Sequence, residues 1–147
     1  MITGLPAAAT LDALLEALER AGIGCTIVLD RGGRLDRIYA NEALARIFGV
    51  DREAAMRIAP LDVLAGSERA RLAEMRHAAR SGDPRRPLSL ETRIVRADGS
   101  ELPVEVGLGY ATLDSAQATF VFIRDVSEKT SMERALRLSE ERFRMVA

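Results

Sequence analysis

The sequence predicts an α+β domain: a five-stranded antiparallel sheet with short helices on one face, flanked by amphipathic helices at both ends. Three observations carry this expectation. Strand-forming runs fall into a pair and then a trio, separated by one block of short helical segments. Gly-Gly and Asp-Gly dipeptides sit where consecutive strands must reverse. Both ends of the chain carry large apolar residues at helical spacing.

Taken in order, Thr10 is placed to cap a helix beginning at Leu11, whose Leu11, Leu14, Leu15 and Leu18 make one stripe. Gly22 and Gly24 end it. Cys25–Leu29 reads as a strand, Asp30-Arg31-Gly32-Gly33 as a tight turn, and Arg34–Tyr39 as the returning strand with Leu35 and Ile38 apolar. Asn41 caps a short helix carrying Ala43, Leu44, Ile47 and Phe48, and Gly49 stops it. Asp51 caps a second, Arg52–Met56, and Pro60–Leu64 is a further turn. A longer helix opens at Ser67, with Leu72, Met75 and Ala79 on one side, and breaks at Ser81-Gly82-Asp83-Pro84.

The trio follows as a meander. Leu88–Arg96 is a strand, Asp98-Gly99 a hairpin turn, and Glu101–Ala111 the partner strand. In that partner, Leu102, Val104, Val106 and Leu108 alternate with Pro103, Glu105, Gly107 and Gly109. Leu113–Ala116 turns the chain into a last strand, Gln117–Arg124. Ser127 caps the terminal helix, where Met132, Leu136, Ser139, Phe143 and Val146 keep a 4-3-4-3 seam. By spacing alone that helix either folds back on its own domain or pairs with a second copy. The expected organisation is a flanking helix over residues 1–22, a domain over 23–126 and a connector helix over 127–147.

Bulk properties narrow the function. The chain has 147 residues, 48% of them hydrophobic, enough for a core of its own, and a net charge of −1. Such a balance asks for neither nucleic acid nor an anionic membrane. No apolar run approaches the roughly 20 residues that cross a bilayer, and the N-terminus lacks the pattern of a secretory signal. One cysteine, Cys25, leaves no internal disulfide and no cysteine metal cluster. A cytoplasmic domain is expected, free or as the soluble part of a membrane-anchored sensor. Catalysis is not expected: there is no Gly-x-Ser-x-Gly elbow, no Walker loop and no His-Glu-x-x-His. Glu140-Glu141 lie on a solvated helix face.

Four stretches in order resemble a known family. They are Ile27–Arg34, Tyr39–Leu44 with Phe48-Gly49, Arg96–Ser100, and Phe122–Ser127, which ends in an Asp-hydrophobic-Ser junction. Together they are similar to PAS domains of bacterial sensor histidine kinases, over roughly Leu11 to Ser127. Leu138–Arg144 resembles the lead-in helix of a second such domain. The resemblance implies a PAS fold, a homodimer formed through the flanking helices, and a signal sent along the C-terminal helix to a kinase or other output domain of the same chain. Leu11, Leu14, Leu15, Leu18, Met132, Leu136 and Phe143 become the dimer-helix candidates. Asp125 and Ser127 become the signalling junction.

The family's pocket lies between sheet and short helices. Its candidate lining here is Ile27 and Ile38 from the first hairpin; Phe48, Met56, Leu72 and Met75 from the helices; and Ile94, Val104, Val106, Phe120 and Phe122 from the later strands. Filling of that space by core side chains alone is the competing expectation, and no ligand is named by the sequence. Flavin chemistry of the LOV type asks for a cysteine in the helical block, whereas Cys25 is in the first strand. Haem asks for an axial ligand, and His77, between Arg76 and Arg80, reads better as a surface histidine. The expected function is a sensory, dimerising input domain of a two-component phosphorelay protein. A structural spacer without a ligand is the alternative.

Overall fold

A computed structural model describes residues 4–80, 89–113 and 116–146. Gly32 and Gly33, at φ 66° and 99°, reverse the chain between β1 (Gly24–Arg31) and β2 (Arg34–Ala40). Asp30 Oδ1 holds that turn by accepting from Gly33 N at 2.9 Å. The helical block follows as α2 (Glu42–Phe48), α3 (Arg52–Arg57) and α4 (Gly66–Arg80). Then come β3 (Ser89–Val95), β4 (Glu101–Leu113) and β5 (Ala116–Asp125). Helices α1 (Ala7–Arg20) and α5 (Ser127–Val146) flank the whole.

All strand pairs are antiparallel, in the order β2-β1-β5-β4-β3. The fold is therefore the α+β arrangement with an antiparallel sheet expected from the order of elements, and the PAS fold that the resemblance implies. The crossing from one edge strand, β2, to the other, β3, runs over a single face of the sheet, which we call the inner face. There Leu44, Phe48, Ala55 and Leu64 meet Ile94, Val104, Val106 and Ile123 in one buried cluster. Burial of a residue such as Leu44 or Phe48 contributes about 1.5–3 kcal/mol each.

Helix ends obey local chemistry. Asn41 Oδ1 accepts from Leu44 N at 2.9 Å and Asp51 Oδ1 from Ala54 N at 2.8 Å, so both predicted caps form. Gly49, in the left-handed region at φ 76°, ends α2 as predicted. The start of α1 differs from expectation. The run Ala7-Ala8-Ala9 has high helix propensity and extends the helix back to Pro6, its N-cap. Thr10 thus lies inside the helix, its hydroxyl donating back to Pro6 O at 2.8 Å. The predicted break at residues 81–84, Leu88, and the turn residues Asp114 and Ser115 lie outside the described residues.

Candidate functional site

A cavity of about 100 Å³ lies between the inner face of the sheet and the helical block. Thr26 and Val28 of β1, Leu35 and Arg37 of β2, and Phe48 of α2 line one side. Pro60, Leu61, Val63 and Leu64 of the following turn and Leu72 of α4 close it. The floor is Ile94 of β3, with Val106, Leu108 and Tyr110 of β4 and Thr119, Val121 and Ile123 of β5.

Strand alternation explains this membership. On β1, positions 24, 26 and 28 face inward: a Cβ on Gly24 would meet Leu44 Cα at 3.1 Å. Their neighbours Cys25, Ile27 and Leu29 stand on the outer face, opposite Phe122, Phe120 and Ala118 of β5. Of the predicted lining residues, Phe48, Leu72, Ile94 and Val106 come together on the cavity. Ile27, Phe120 and Phe122 occupy the other face. Val104 and Met56 join the core without reaching the cavity wall. The side chain of Met75, like that of His77, lies outside what the structure describes.

Ile38 departs from expectation for a specific reason. The β1–β2 ladder pairs Ile27 with Tyr39 but Val28 with Arg37, so Ile38 is the extra residue of a β-bulge. The bulge leaves Ile38 half-exposed, at 50%, and gives the inward position to Arg37. The Arg37 guanidinium donates from Nη1 to Thr26 Oγ1 at 2.6 Å, and from Nε and Nη2 to Ile58 O at 3.3 Å. It stands 5.8 Å from the centroid of the Phe48 ring. Burial lowers its pKa from the ordinary arginine value. Sequence reasoning passed over Arg37, because nothing in the run Arg34–Ala40 marks a bulge.

The second predicted site is the strand-to-helix junction. Asp125 Oδ1 accepts from Ser127 N at 2.8 Å and from the Ser127 hydroxyl. Between them Val126 is buried, and its N–H donates to Pro103 O of β4 at 3.1 Å. One turn on, Lys129 Nζ donates to Glu91 Oε1 of β3 at 3.0 Å, and this contact raises the lysine's pKa. Glu91 O also accepts from Arg71 Nη1 of α4 at 3.4 Å. Beyond the junction, every described side chain of α5 from Glu128 to Met145 is exposed. Met132, Leu136 and Phe143 are among the most exposed large apolar residues of the chain, Phe143 at 78%.

At the other end, α1 is fixed at its C-terminus. Glu19 Oε2 accepts from Glu42 N at 2.9 Å and Ala43 N at 3.4 Å, the free N–H groups that open α2. Asn41 Nδ2 donates to Ile23 O at 3.0 Å. Leu15 and Leu18 are partly covered, while Leu11 and Leu14 remain exposed.

Among the described residues, no group of three or more His, Cys, Asp or Glu is placed to hold a metal ion, and no helix is long and apolar enough to cross a membrane. Cys25 is buried, and burial pushes its thiol up to about 11.

The PAS domain family model matches residues 24–128. No curated protein matches the chain significantly. Solved structures supply likenesses of fold at low identity. A sensory box histidine kinase/response regulator from Burkholderia thailandensis E264 is 18% identical with a TM-score of 0.67, over 90% of this chain and 98% of that one. The Rhodobacter sphaeroides LOV protein is 18% identical with a TM-score of 0.65, over 89% and 74%. The PAS domain of an HTR-like protein from Haloarcula marismortui is 22% identical with a TM-score of 0.54, over 80% and 93%. From residue 24 to the first turn of α5, this chain belongs to the PAS domain family and is a sensory domain of a signalling protein.

Proposed function

We propose that the chain is the input and dimerisation domain of a bacterial two-component sensor, a histidine kinase, and that it relays the state of its inner cavity along α5 to an output domain of the same protein. The observation that carries this reading is the construction of α5. Its root is tied to β3, β4 and β5 through Glu91, Pro103 and Asp125. Its remaining length projects an exposed apolar stripe that its own domain leaves uncovered. A stripe at this spacing is satisfied by a second copy of the same helix, and a helix clamped at its root to three strands follows their movement. The histidine kinase assignment is supported by the likeness to the B. thailandensis protein, at the level of fold. A cytoplasmic position and the absence of catalysis in this domain belong to the same reading.

The test is oligomeric state. Light scattering on the whole chain should give a dimer, and Leu136→Glu with Phe143→Glu should give a folded monomer. A wild-type monomer at high concentration would overturn the reading. A competing one, a spacer with no ligand, draws support from the small size of the cavity. It predicts that no small molecule raises the melting temperature, because only a ligand that favours the folded state does so.

A further inference from the structure

Among the described residues, Arg37 is the one charged side chain on a cavity wall otherwise made of aliphatic and aromatic groups, two threonines and Tyr110. A guanidinium has five N–H donors. Three are engaged, one by Thr26 and two by the Ile58 carbonyl. One N–H on each terminal nitrogen makes no hydrogen bond to a described residue. No carboxylate pairs with Arg37 among the described residues. The partners it has are a carbonyl, a hydroxyl and a ring face, none of which carries the counter-charge.

Arg37 is partly buried, and a cation withdrawn even in part from water without an anion beside it carries a cost. The bulge at Ile38 is what turns this residue inward, and without it the alternation would place Tyr39 on the same face as Arg37. The lowered pKa of Arg37 fits the same picture, because burial is its cause and no neighbouring charge offsets it.

We propose that the cavity binds a short aliphatic monocarboxylate, its carboxylate on the Arg37 guanidinium and its hydrocarbon tail among Val106, Leu108, Val121 and Ile123. A carboxylate matches the planar fork. Phosphate and sulfate fit poorly, since they carry oxygens on every side and would turn some of them onto valine and leucine. Size sets the tail. An engineered apolar cavity of about 150 Å³ holds one benzene, so about 100 Å³ admits a ligand of roughly four to six non-hydrogen atoms. This inference rests on the reading of the domain as a ligand sensor.

The experiment is a thermal-shift and calorimetric titration of the whole chain with sodium butyrate, at ionic strength held constant with sodium chloride. Butyramide and sodium phosphate serve as controls. Butyrate should bind saturably and raise the melting temperature, while butyramide and phosphate should not. Arg37→Gln should lose the effect, and Arg37→Lys, which keeps the charge but not the fork, should bind roughly 10-fold more weakly. Should Arg37→Gln fail to fold, Val121→Phe, which fills the cavity with Arg37 in place, must abolish butyrate binding. Equal binding of butyramide, or butyrate binding retained in Arg37→Gln or Val121→Phe, overturns the carboxylate assignment and leaves the sensor reading standing. No binding by any probe overturns the assignment and favours the spacer.

Discussion

Asp125 accepts both the backbone N–H and the hydroxyl of Ser127 on one carboxylate oxygen. The pair lies on the surface, so its loss costs the fold little, about 0.5–1 kcal/mol in the range of a helix cap. What it spans is the joint between β5, which ends at Asp125, and α5, which begins at Ser127. Asp125→Ala should therefore leave circular dichroism and melting nearly unchanged while uncoupling input from output in the full-length protein. Asp125→Asn, which keeps an acceptor oxygen, should retain part of the coupling. Output activity with and without stimulus measures this, and unchanged regulation in Asp125→Ala would remove the junction from the signalling route.

Asn41 is a different kind of residue, one on which the fold depends. Its Oδ1 accepts from Leu44 N and Cys25 N, both at 2.9 Å, and its Nδ2 donates to Ile23 O. The side chain is buried and joins the end of α1, the first strand and the start of α2. Asn41→Ala strands two buried N–H groups and a carbonyl, and should cost about 2–4 kcal/mol. Asn41→Asp keeps the acceptor and loses the donor to Ile23, so it should lie between wild type and alanine. Denaturant unfolding at constant slope is the measurement, and an alanine variant within 1 kcal/mol of wild type would contradict this role.

These two sites differ in how readily the sequence discloses them. Asn41, Asp51 and Gly49 are legible because caps depend on local chemistry within three or four residues, whereas Ser127, expected to cap α5, is its first helical residue and its hydroxyl donates to Asp125. The inward face of β4 is legible as well: Val104, Val106 and Leu108 alternate with Glu105, Gly107 and Gly109. Strands β1 and β5 hide their faces. Ile27–Leu29 and Phe120–Ile123 are apolar at successive positions, so period two is absent and a choice of face is a choice of register. That is why Ile27, Phe120 and Phe122 were expected on the cavity, while Val28, Val121 and Ile123 line it. Arg37 was hidden more deeply. Its inward position depends on a bulge set by the pairing of β1 with β2, which no local motif encodes.

Cys25 gives a prediction in pH. Its folded-state pKa, raised by burial from 9.0 to about 11, means the folded protein holds the thiol proton where the unfolded chain releases it. Stability from this group is complete below pH 9 and is lost as pH rises from 9 toward 11. At about 1.4 kcal/mol per pH unit, the loss is bounded at about 3 kcal/mol. The phenol of Tyr39, raised by burial first and by the neighbouring Cys25 second, acts in the same direction. Stability measured between pH 8.5 and 11 should therefore fall less steeply in Cys25→Ala than in wild type. At pH 8, a thiol reagent should label the native protein far more slowly than the urea-unfolded chain. Equal labelling rates, or parallel pH curves, would contradict this.

The end of α2 supplies a test of coupling between two elements far apart in sequence. Arg96, just past β3, donates from Nε to Ile47 O at 3.0 Å and from Nη2 to Arg46 O at 3.2 Å, capping the carbonyl end of α2 with a positive charge. Ala97 N donates to Phe48 O at 3.1 Å beside it. Gly49 takes the left-handed conformation at φ 76°, and a Cβ there would meet Arg96 Nη2 at 3.3 Å. Gly49→Ala therefore carries two costs, about 1 kcal/mol for the backbone region and a smaller one for displacing the guanidinium. Arg96→Ala should cost about 1–2 kcal/mol by removing charged hydrogen bonds to the last carbonyls. In the double variant the displacement cost is gone, since there is no guanidinium left to move. The pair should thus be less damaging than its parts added together, by about 0.5 kcal/mol or more. Strict additivity in a double-mutant cycle would mean that the added methyl does not disturb the cap, and the whole cost of Gly49→Ala would then be assigned to backbone conformation.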